Sequence, residues 1–371
     1  VGSYIPAAGA LAIEALHILE NFDLRSMGPA ERAAHVGMAL RLAFEDWRLQ
    51  GPSEMAEQLT SKEWAAQRAG EMAMGSGAGG ASSAASGADP WLHLSGGHTT
   101  HLSTADDDGM MVALTQTLGP NMGSKVVTPG LGFLYASTLG GYLGGMEPGE
   151  RARSNICPFM VFKDGNPLLV LGGAGGAQIP VAVVNAVVHF VDGGLPFPEA
   201  VTAPRVGPDR TGGIVLETHD GAGYTPELVG AVRALGLNVR ETPREAAFGR
   251  LHGIRYHASS GQWEGVADPD WGGTALGARF NGPGQVEETY DVIIRNGKVF
   301  DGMGNPWFYA DVALEGDRIV AIGDLDHALG REEIDATGLY VAPGFIDTHT
   351  HAGGGLATSE LSHARPLLAQ G

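Results

Sequence analysis

The stretch LLVLGGAGGAQIPVAVVNAVVHFV, residues 168–191, decides the fold class of this chain. Its first residues form a continuous apolar run, which is typical of a buried strand. The glycines that follow predict a tight turn, and Ile179, Val183, Val187 and Phe190 then recur at the spacing of one helical face. A buried strand that passes through a glycine turn into an apolar helix predicts an α/β fold in which helices cover a sheet.

Further strands are predicted on both sides of this unit. Residues 109–118, 124–135 and 158–165 are rich in branched and aromatic side chains, and Asp164-Gly165 is a strong hairpin signal. Farther along, the sequence predicts a strand, a helix and a pair of strands, written GIVLET, TPELVGAVRALG, GRLHGIRYHAS and QWEGVAD. This order is typical of a sandwich of sheets with helices outside.

The chain begins with helical patterns. Apolar residues recur at three- and four-residue steps over residues 9–24 and 29–48, which predicts two amphipathic helices. Thr60 and Glu63 form a capping-box pattern that opens a third helix through Met74. A stretch of Gly, Ala and Ser follows and has nothing to bury, so we expect a mobile connector there.

A third type of sequence pattern, different from the helical segment and the α/β domain, begins near residue 289. Asn296-Gly297 is a hairpin signal, a second hairpin is predicted over YADVALEGDRIVAIG, and a later strand ends in paired histidines. These changes divide the chain into a helical segment 1–74, a linker 75–98, an α/β domain 99–277, a second linker 278–288 and a final segment 289–371.

The composition excludes some classes of partner. The chain has 371 residues, and its 42 acidic against 23 basic residues give a net charge of -19, which repels nucleic acid and anionic membranes. No stretch is long and apolar enough to predict a membrane span. The single cysteine, Cys157, excludes an internal disulfide framework but leaves the compartment open.

The sequence GGHTTH, residues 96–101, carries the first chemical signal. A threonine hydroxyl is a poor nucleophile unless a base takes its proton, and a free α-amine on the same residue is one compact base. That arrangement requires cleavage between His98 and Thr99, at the point where the connector ends. A Thr-Thr pair is also a common strand start, so on these residues alone both interpretations stay open.

The glycine turn, residues 172–176, carries the second signal. Glycines let backbone N–H groups approach a ligand, and the helix that follows adds its positive N-terminal end. The turn could therefore stabilise an oxyanion. It could equally be a tight turn that packs a helix on a sheet.

Several segments together resemble the gamma-glutamyltranspeptidases. Four of them occur in the order and spacing of the family's small subunit, and a fifth is similar to the end of its large subunit. They are HTTHLSTADDDGMMVALTQT, RARSNICPFMVFKDGNPLLVLGGAGG, AVTAPRV and GVADPDWGG, and then ALAIEALHILENFDL. The resemblance covers residues 1 to about 277 and implies an N-terminal-nucleophile hydrolase with an αββα sandwich, here N-terminally incomplete.

The resemblance also implies roles for individual residues. Thr99 matches the nucleophile of self-cleavage and acyl transfer, and Thr117 matches the threonine that supports it. Gly175 and Gly176 match the oxyanion-hole pair, and Ser154 matches the first of two serines that hold the substrate carboxylate.

The chain departs from the family where the glutamyl group is held. Asn155 replaces the second serine, Gly119 replaces the usual asparagine after the supporting threonine, and Gly140 with Gly141 replace the paired aspartates that hold the substrate amino group. We therefore expect the acyl chemistry to remain and the γ-glutamyl selectivity to weaken.

The partners that the resemblance implies are small molecules. The donor would be a glutathione-like γ-glutamyl or related acyl amide, and the acceptor water, an amino acid or a peptide. No cofactor is expected for this part, and the two self-cleaved subunits would associate as a heterodimer. By family analogy the compartment is periplasmic or extracellular, and the cytoplasm stays open.

The final segment carries a different signal. His349 and His351 lie two apart in a predicted strand and so point to one face, with Asp347 on the same side, where they could bind one metal ion. With VAPGFID and YDVIIRNGKVFDG before them, they resemble the start of the amidohydrolase superfamily, especially D-aminoacylase-like and dihydroorotase-like members. The resemblance implies a small β-domain followed by the first strand of an incomplete TIM barrel, with zinc held only in a complete barrel.

Two alternatives to the acyltransferase stay open. One is a metal-dependent amidohydrolase similar to N-acyl-D-amino-acid deacylases. The other is a non-catalytic homologue that keeps the sandwich as a binding or structural module.

Overall fold

A computed structural model of the chain describes most of its residues. The described ranges are 1–3, 7–49, 55–73, 99–106, 109–119, 123–137, 149, 154–209, 212–218, 223–243, 248–269, 273–277, 289–300, 307–326 and 328–343. They belong to two compact units, Val1–Ala275 and Leu276–Gly371. Of the helices within these ranges, none is both long and apolar enough to cross a membrane.

Helices and strands alternate through the first unit. Its helices are α1 (Gly9–Leu19), α2 (Pro29–Leu49), α3 (Met55–Leu59), α4 (Lys62–Ala73), α5 (Gln178–Val191), α6 (Phe197–Thr202) and α7 (Pro226–Ala234). Its strands are β1 (Thr99–Ala105), β2 (Met111–Thr117), β3 (Phe159–Lys163), β4 (Asn166–Ala174), β5 (Val206–Pro208), β6 (Ile214–Glu217), β7 (Val239–Thr242), β8 (Arg250–His257) and β9 (Gln262–Ala267).

The central sheet has the order β3-β4-β8-β9, and all of its pairs are antiparallel. The predicted turn between β3 and β4 is confirmed, because Asp164 and Gly165 both adopt positive φ angles, 52° and 77°. Strand β4 becomes fully buried along its second half, from Leu169 to Ala174. Residues 168–191 are therefore a central strand of the sheet followed by the helix that covers it.

A layer of helices covers one face of this sheet. Helix α5 is apolar on nearly all sides and buried from Ile179 to Val188, as expected of a helix enclosed by other elements. It shares one core with Leu11 and Ile18 of α1 and Leu40 of α2. Residues before and after the 75–98 linker thus contribute to a single hydrophobic core.

The β1–β2 hairpin packs against the other face, over β4 and β8. Alternate strand residues point to opposite faces, so Leu171 joins the core with the helices while Gly172 faces the hairpin. The layers follow the order helices, central sheet, hairpin. A further mixed sheet, β5-β6-β7, packs against α2 and α7.

A buried ion pair joins two of the motifs that carried the family resemblance. Arg205 of AVTAPRV donates to Asp268 of GVADPDWGG over 2.7 Å, and both side chains are almost fully buried. The guanidinium also donates to the carbonyl oxygens of Val201, at 2.7 Å, and Gly249. These further bonds satisfy a charge that would otherwise be costly to bury. The motif residues therefore tie α6 and β5 to the end of β9.

Two local expectations for the first unit were wrong. The N-cap of α4 is Ser61 rather than Thr60, because the Ser61 hydroxyl accepts from the Trp64 amide at 3.2 Å while the Thr60 carbonyl bonds the His17 ring. Residues 124–135 form no regular strand. They turn back on themselves through an isolated bridge between Val127 and Leu134 and backbone bonds such as that from the Thr128 amide to the Phe133 carbonyl, and most of their apolar side chains are exposed.

The second unit is built on one open sheet of five strands. They are β10 (Thr289–Val299), β11 (Phe308–Glu315), β12 (Arg318–Gly323), β13 (Leu329–Asp335) and β14 (Tyr340–Val341). The order is β12-β11-β10-β13, with β14 also pairing β10. The predicted β11–β12 hairpin is confirmed.

The expected hairpin at Asn296-Gly297 is wrong, because β10 runs through it as one strand with a bulge. Asn296 has a positive φ of 59°, and its amide donates to the Asp311 carboxylate at 2.7 Å. A Cβ at Gly297 would lie 2.5 Å from a methyl group of Val341. The dipeptide therefore allows β10 to lie close to its neighbouring strands, as a glycine within a strand often does.

A buried carboxyl pair lies between α1, α2 and α4. The Trp64 indole donates to Glu14 and to Asp46, both at 3.0 Å, and Arg68 pairs with Asp46 at 2.9 Å. Burial, followed by the nearby Asp46, raises the pKa of Glu14 to about 10. The native state thus holds a proton that the unfolded chain releases above about pH 4.5, so the buried carboxyl weakens folding progressively as pH rises towards 10.

Glu14→Gln is therefore expected to stabilise the protein in mildly alkaline solution. The amide keeps the acceptor for Trp64 and cannot ionise, so the free energy of unfolding at pH 8 should rise by at least about 1 kcal/mol. Chemical denaturation at pH 5 and pH 8 measures this, and the gain should shrink at the lower pH. Asp46→Asn is the matched control and should lose stability, since it removes the most buried of the carboxylates that pair with Arg68. A less stable Glu14→Gln at pH 8 contradicts the assignment.

Candidate functional site

Thr99 and Thr117 face each other across the β1–β2 hairpin. They are the first pair of the antiparallel register, so their side chains lie on the same face of the hairpin. Thr99 is half-buried and begins its strand. The Thr117 hydroxyl accepts a bond from the Gly119 amide at 3.1 Å. The structure thus brings together the predicted nucleophile and its predicted supporting residue.

Gly119 fits the position where the resembled family has asparagine. Its φ is +80°, a left-handed conformation that glycine adopts without strain. This conformation lets its amide reach back to the Thr117 side chain. The backbone therefore supplies a hydrogen bond to the supporting threonine.

Gly175 and Gly176 form the turn between β4 and α5. Their φ angles are +134° and +59°, and a Cβ at Gly175 would lie 2.7 Å from the Cα of Gly249. The carbonyl oxygens of the two glycines accept the amides of Gln178 and Ile179, both at 3.1 Å, which begins α5. The turn therefore lies at a helix N-terminus, where amide groups and the helix dipole favour negative charge.

His101 connects the hairpin to the strand that leads into this turn. It lies two residues after Thr99, on the same face of β1, and its ring is only 6% exposed. A Cβ at Gly172 would lie 2.5 Å from the ring Nδ1 atom, so the imidazole packs against the backbone of β4. Its Nδ1 atom bonds the Thr115 hydroxyl at 2.8 Å and its Nε2 atom the Ser103 hydroxyl at 2.9 Å.

The environment of His101 keeps its ring neutral. Burial, followed by the nearby His252, lowers its pKa to about 4. Sequence reasoning gave this residue no role. The two-residue alternation of Thr99, His101 and Ser103 was the signal that placed all three side chains on one face.

His252 is a partly buried histidine of β8. It pairs with Gly172 across β4 and β8, and its Nδ1 atom is buried with no hydrogen-bond partner among the described residues. Burial lowers its pKa, while Asp268 acts in the opposite direction. Two neutral imidazoles, His101 and His252, thus lie beneath the hairpin.

Ser154 and Asn155 lie just before β3. The Ser154 hydroxyl accepts from the Ile156 amide at 3.2 Å, and Ser154 pairs with Ala7 in an isolated bridge. The Asn155 side chain is 8% exposed, and its Oδ1 atom is buried with no hydrogen-bond partner in the described ranges. A buried polar atom of this kind is satisfied when a donor from a ligand reaches it.

Other predicted site residues lie outside the described residues. These are His98, Gly140, Gly141, Asp347, His349 and His351. Within the described ranges, no group of three or more His, Cys, Asp or Glu side chains is placed to hold a metal ion.

Comparison with known proteins gives a family match over the first unit. The family model described as Gamma-glutamyltranspeptidase matches residues 2–278. The chain is 31% identical over 270 residues to the Acylase ACY 1 proenzyme of Pseudomonas sp. (strain V22), which covers 68% of this chain and 45% of that protein. It is 28% identical over 301 residues to the Glutathione hydrolase proenzyme of Escherichia coli (strain K12), which covers 71% of this chain and 48% of that protein. The chain thus spans about half the length of these relatives.

A solved structure supports the same fold. The cephalosporin acylase from Bacillus halodurans matches with a TM-score of 0.55 and 24% identity, over 71% of this chain and 48% of that one. At this identity the match speaks for the fold alone. The sandwich class predicted from the sequence is confirmed by it.

The second unit has relatives of another kind. A segment of 66 residues is 52% identical to the N-acyl-D-glutamate deacylase of Alcaligenes xylosoxydans xylosoxydans, which covers 18% of this chain and 14% of that protein. Only a small part of the deacylase is therefore matched.

The close contact and the positive φ angle at Gly175 can be tested by substitution. Gly175→Ala should lower the free energy of unfolding by roughly 1–3 kcal/mol, because the new Cβ meets Gly249 and the positive φ strains an alanine. Gly230→Ala in α7, where nothing lies within 4 Å of the added Cβ, is the matched control and should be neutral or stabilising. Denaturant unfolding curves measure both. Equal stability of the two variants would show that the close approach at Gly175 is wrong.

Proposed function

The chain belongs to the gamma-glutamyltranspeptidase family, and on that premise we propose that it is an N-terminal-threonine acyltransferase or hydrolase. The bond between His98 and Thr99 is cleaved by the chain itself, and the new N-terminal Thr99 then accepts an acyl group from an amide. The acyl group passes to water or to the amine of an amino acid or peptide. The donor class is a γ-glutamyl or related acyl amide such as glutathione.

One observation carries this proposal: Thr99 begins β1 and pairs with Thr117 on a hairpin stacked over the strand that leads to Gly175 and Gly176. A residue that begins a paired strand keeps its place after the bond before it is cut. Its new amine then stays beside its own hydroxyl, as an N-terminal nucleophile requires.

The proposed chemistry follows from these groups. In acyl transfer the Thr99 amine takes the hydroxyl proton as the oxygen attacks the donor carbonyl. The Gly175 and Gly176 amides stabilise the oxyanion, and the protonated amine returns its proton to the leaving amine. An ester on Thr99 results, and water or an acceptor amine attacks it by the reverse sequence. The scheme uses groups of the chain alone and requires no cofactor.

The cleaved pieces would remain together as a heterodimer. Leu11, Ile18 and Leu40 come before the cleavage point, and Val183 and Leu251 come after it, yet all five belong to one buried core. Hydrophobic burial on this scale does not depend on the linker being intact. The proposed enzyme is therefore two noncovalently held subunits.

The acyl specificity is proposed to be broader than γ-glutamyl. Asn155 stands where the family has a serine for the substrate carboxylate. The buried atom of its side chain that lacks a partner in the described ranges is the acceptor Oδ1 and not the Nδ2 donor, whereas a carboxylate needs a donor at that point. The names of the relatives, an acylase and a glutathione hydrolase, already include two donor classes.

The second unit supplies another candidate function. Its 52% identity to a segment of N-acyl-D-glutamate deacylase favours an amidohydrolase-like β-domain. The zinc ligands that such an activity would need, His349 and His351, lie outside the described residues. The proposed cleavage before Thr99 is independent of metal, and a chelator should leave it unchanged.

Self-cleavage is tested by the intact mass of the purified chain after incubation. The parent should give fragments 1–98 and 99–371, and Thr99→Ala should stay whole because it lacks the hydroxyl. Thr100→Ala is the matched control, since Thr100 points to the exposed face of the hairpin, and it should cleave like the parent. The cleaved parent should also be labelled on Thr99 by a glutamine-like diazoketone.

Two outcomes count against the proposal. Equal cleavage of Thr99→Ala would assign the cut to a contaminating protease. A parent that neither cleaves nor becomes labelled favours the non-catalytic homologue.

Selectivity is tested by Asn155→Ser. This change restores a hydroxyl donor, so the kcat/KM ratio of a γ-glutamyl anilide over a 4-aminobutyryl anilide should rise by about tenfold. The second substrate differs only in lacking the α-carboxylate. Unchanged selectivity would mean that residue 155 does not contact that group.

A further inference from the structure

The strongest unassigned feature is the hydroxyl and imidazole chain beneath the hairpin. Ser103 donates to the carbonyl oxygen of Val170 on β4 over 3.4 Å, which uses the only hydrogen of its hydroxyl. The same hydroxyl lies 2.9 Å from Nε2 of His101 and must accept there. Donation by Ser103 to the Val170 carbonyl thus requires the ring proton of a neutral His101 to lie on Nε2.

The other ring nitrogen then fixes the direction of the second bond. With the proton on Nε2, the Nδ1 atom of a neutral imidazole is an acceptor, and the Thr115 hydroxyl at 2.8 Å is its donor. Donation thus runs from Thr115 on β2, through His101 and Ser103 on β1, to Val170 on β4. One chain of bonds joins both strands of the hairpin to the central sheet.

This series of hydrogen bonds meets the central sheet close to the glycine turn. The ring lies against Gly172 of β4, where a side chain would have no room, and Gly175 follows three residues later, in the turn directly after that strand. Thr99 lies two residues before His101. The imidazole is therefore the spacer between the segment that begins with Thr99 and the segment that ends in the glycine turn.

We propose that His101 is a positioning residue: as the neutral Nε2-protonated tautomer it seats the hairpin on β4 and so sets the place of Thr99 relative to Gly175 and Gly176. This inference rests on the proposed function for the role of Thr99. The way in which His101 holds the β1–β2 hairpin on β4 does not itself depend on any catalysis. Because a misplacement of about 1 Å can cost a reaction about a hundredfold, such a spacer controls rate rather than substrate binding.

The test removes single bonds of the chain and keeps its shape. Thr115→Val deletes the donor to Nδ1 at nearly constant volume, and Thr115→Ser restores it. Thr104→Val is the matched control, since it makes the same change on the exposed face of β1. His101→Phe keeps a ring of similar size without either nitrogen.

Amide hydrogen exchange measures how firmly the hairpin is held on β4, and it does not require an active protein. Thr115→Val and His101→Phe should speed exchange in β1 and β2 by about tenfold and leave β4 and β8 unchanged. Thr115→Ser should return to parent rates, and Thr104→Val should stay within about twofold. Nitrogen-15 spectra of the histidine rings, assigned by the signal lost in His101→Phe, should show the Nε2-protonated tautomer at neutral pH.

Self-cleavage and turnover report the consequence for Thr99. In a parent that cleaves itself, Thr115→Val should slow cleavage and lower kcat by about tenfold to a hundredfold at unchanged KM, with recovery in Thr115→Ser. A merely structural role would lower the amount of folded protein and leave kcat per folded molecule unchanged.

The outcomes separate the two proposals. A parent protein that shows neither cleavage nor labelling overturns the proposed function. Amide hydrogen exchange and the nitrogen-15 spectra of the histidine rings still test whether His101 holds the hairpin on β4. Hairpin exchange equal to that of Thr104→Val, or a ring proton on Nδ1, overturns the inference. So does normal cleavage and kcat in a Thr115→Val chain whose hairpin exchanges faster.

Discussion

The close approach of backbones around β4 is the constraint on which the first unit depends. Gly172 leaves room for the His101 ring, Gly173 lies against the Arg250 carbonyl, and Gly175 lies against Gly249. A strand with side chains at these positions would push the hairpin off one face and separate β4 from β8 at the turn. Because the glycines are small, helices, sheet and hairpin form three closely packed layers. The turn into α5 and the strand that begins with Thr99 are both held by that packing.

The residues predicted to carry the chemistry and those predicted to bind the substrate lie on different kinds of structure. Thr99, Thr117 and the glycine turn are held by paired strands and a buried helix, whereas Ser154 and Asn155 lie in an irregular segment before β3. A residue in an irregular segment can change without disturbing the ladder of a sheet. Under the proposed function, this separation would let substrate preference change while the nucleophile is kept, and the relatives do bear names as different as acylase and glutathione hydrolase.

The sequence predicted the elements that depend on local rules. The run from Leu168 through the glycines into α5 and the turn at Asp164-Gly165 required only periodicity and turn chemistry, and both are present. The same turn rule failed at Asn296-Gly297, because Asp311 and Val341, both distant in sequence, hold that dipeptide in a bulge.

The candidate site was predictable to a similar extent. The family resemblance identified Thr99 and Thr117, which the register pairs. The place of His101 could not be predicted, because it depends on the space above Gly172 and on hydroxyl groups from two strands. Helix α4 shows the same limit on a smaller scale, since Thr60 and Ser61 are both good caps and the contact of His17 with the Thr60 carbonyl decides between them.

The single core that unites the segments on both sides of the linker also has a thermodynamic consequence. While the chain is intact, α1 and α2 are tethered to α5, and their docking is an intramolecular equilibrium. Once the tether is cut, the same contacts become a bimolecular equilibrium, and the translational entropy of two bodies opposes them. The melting temperature of the cleaved protein then depends on its concentration, whereas that of the uncut chain does not. Dilution alone would thus distinguish the precursor from the mature form.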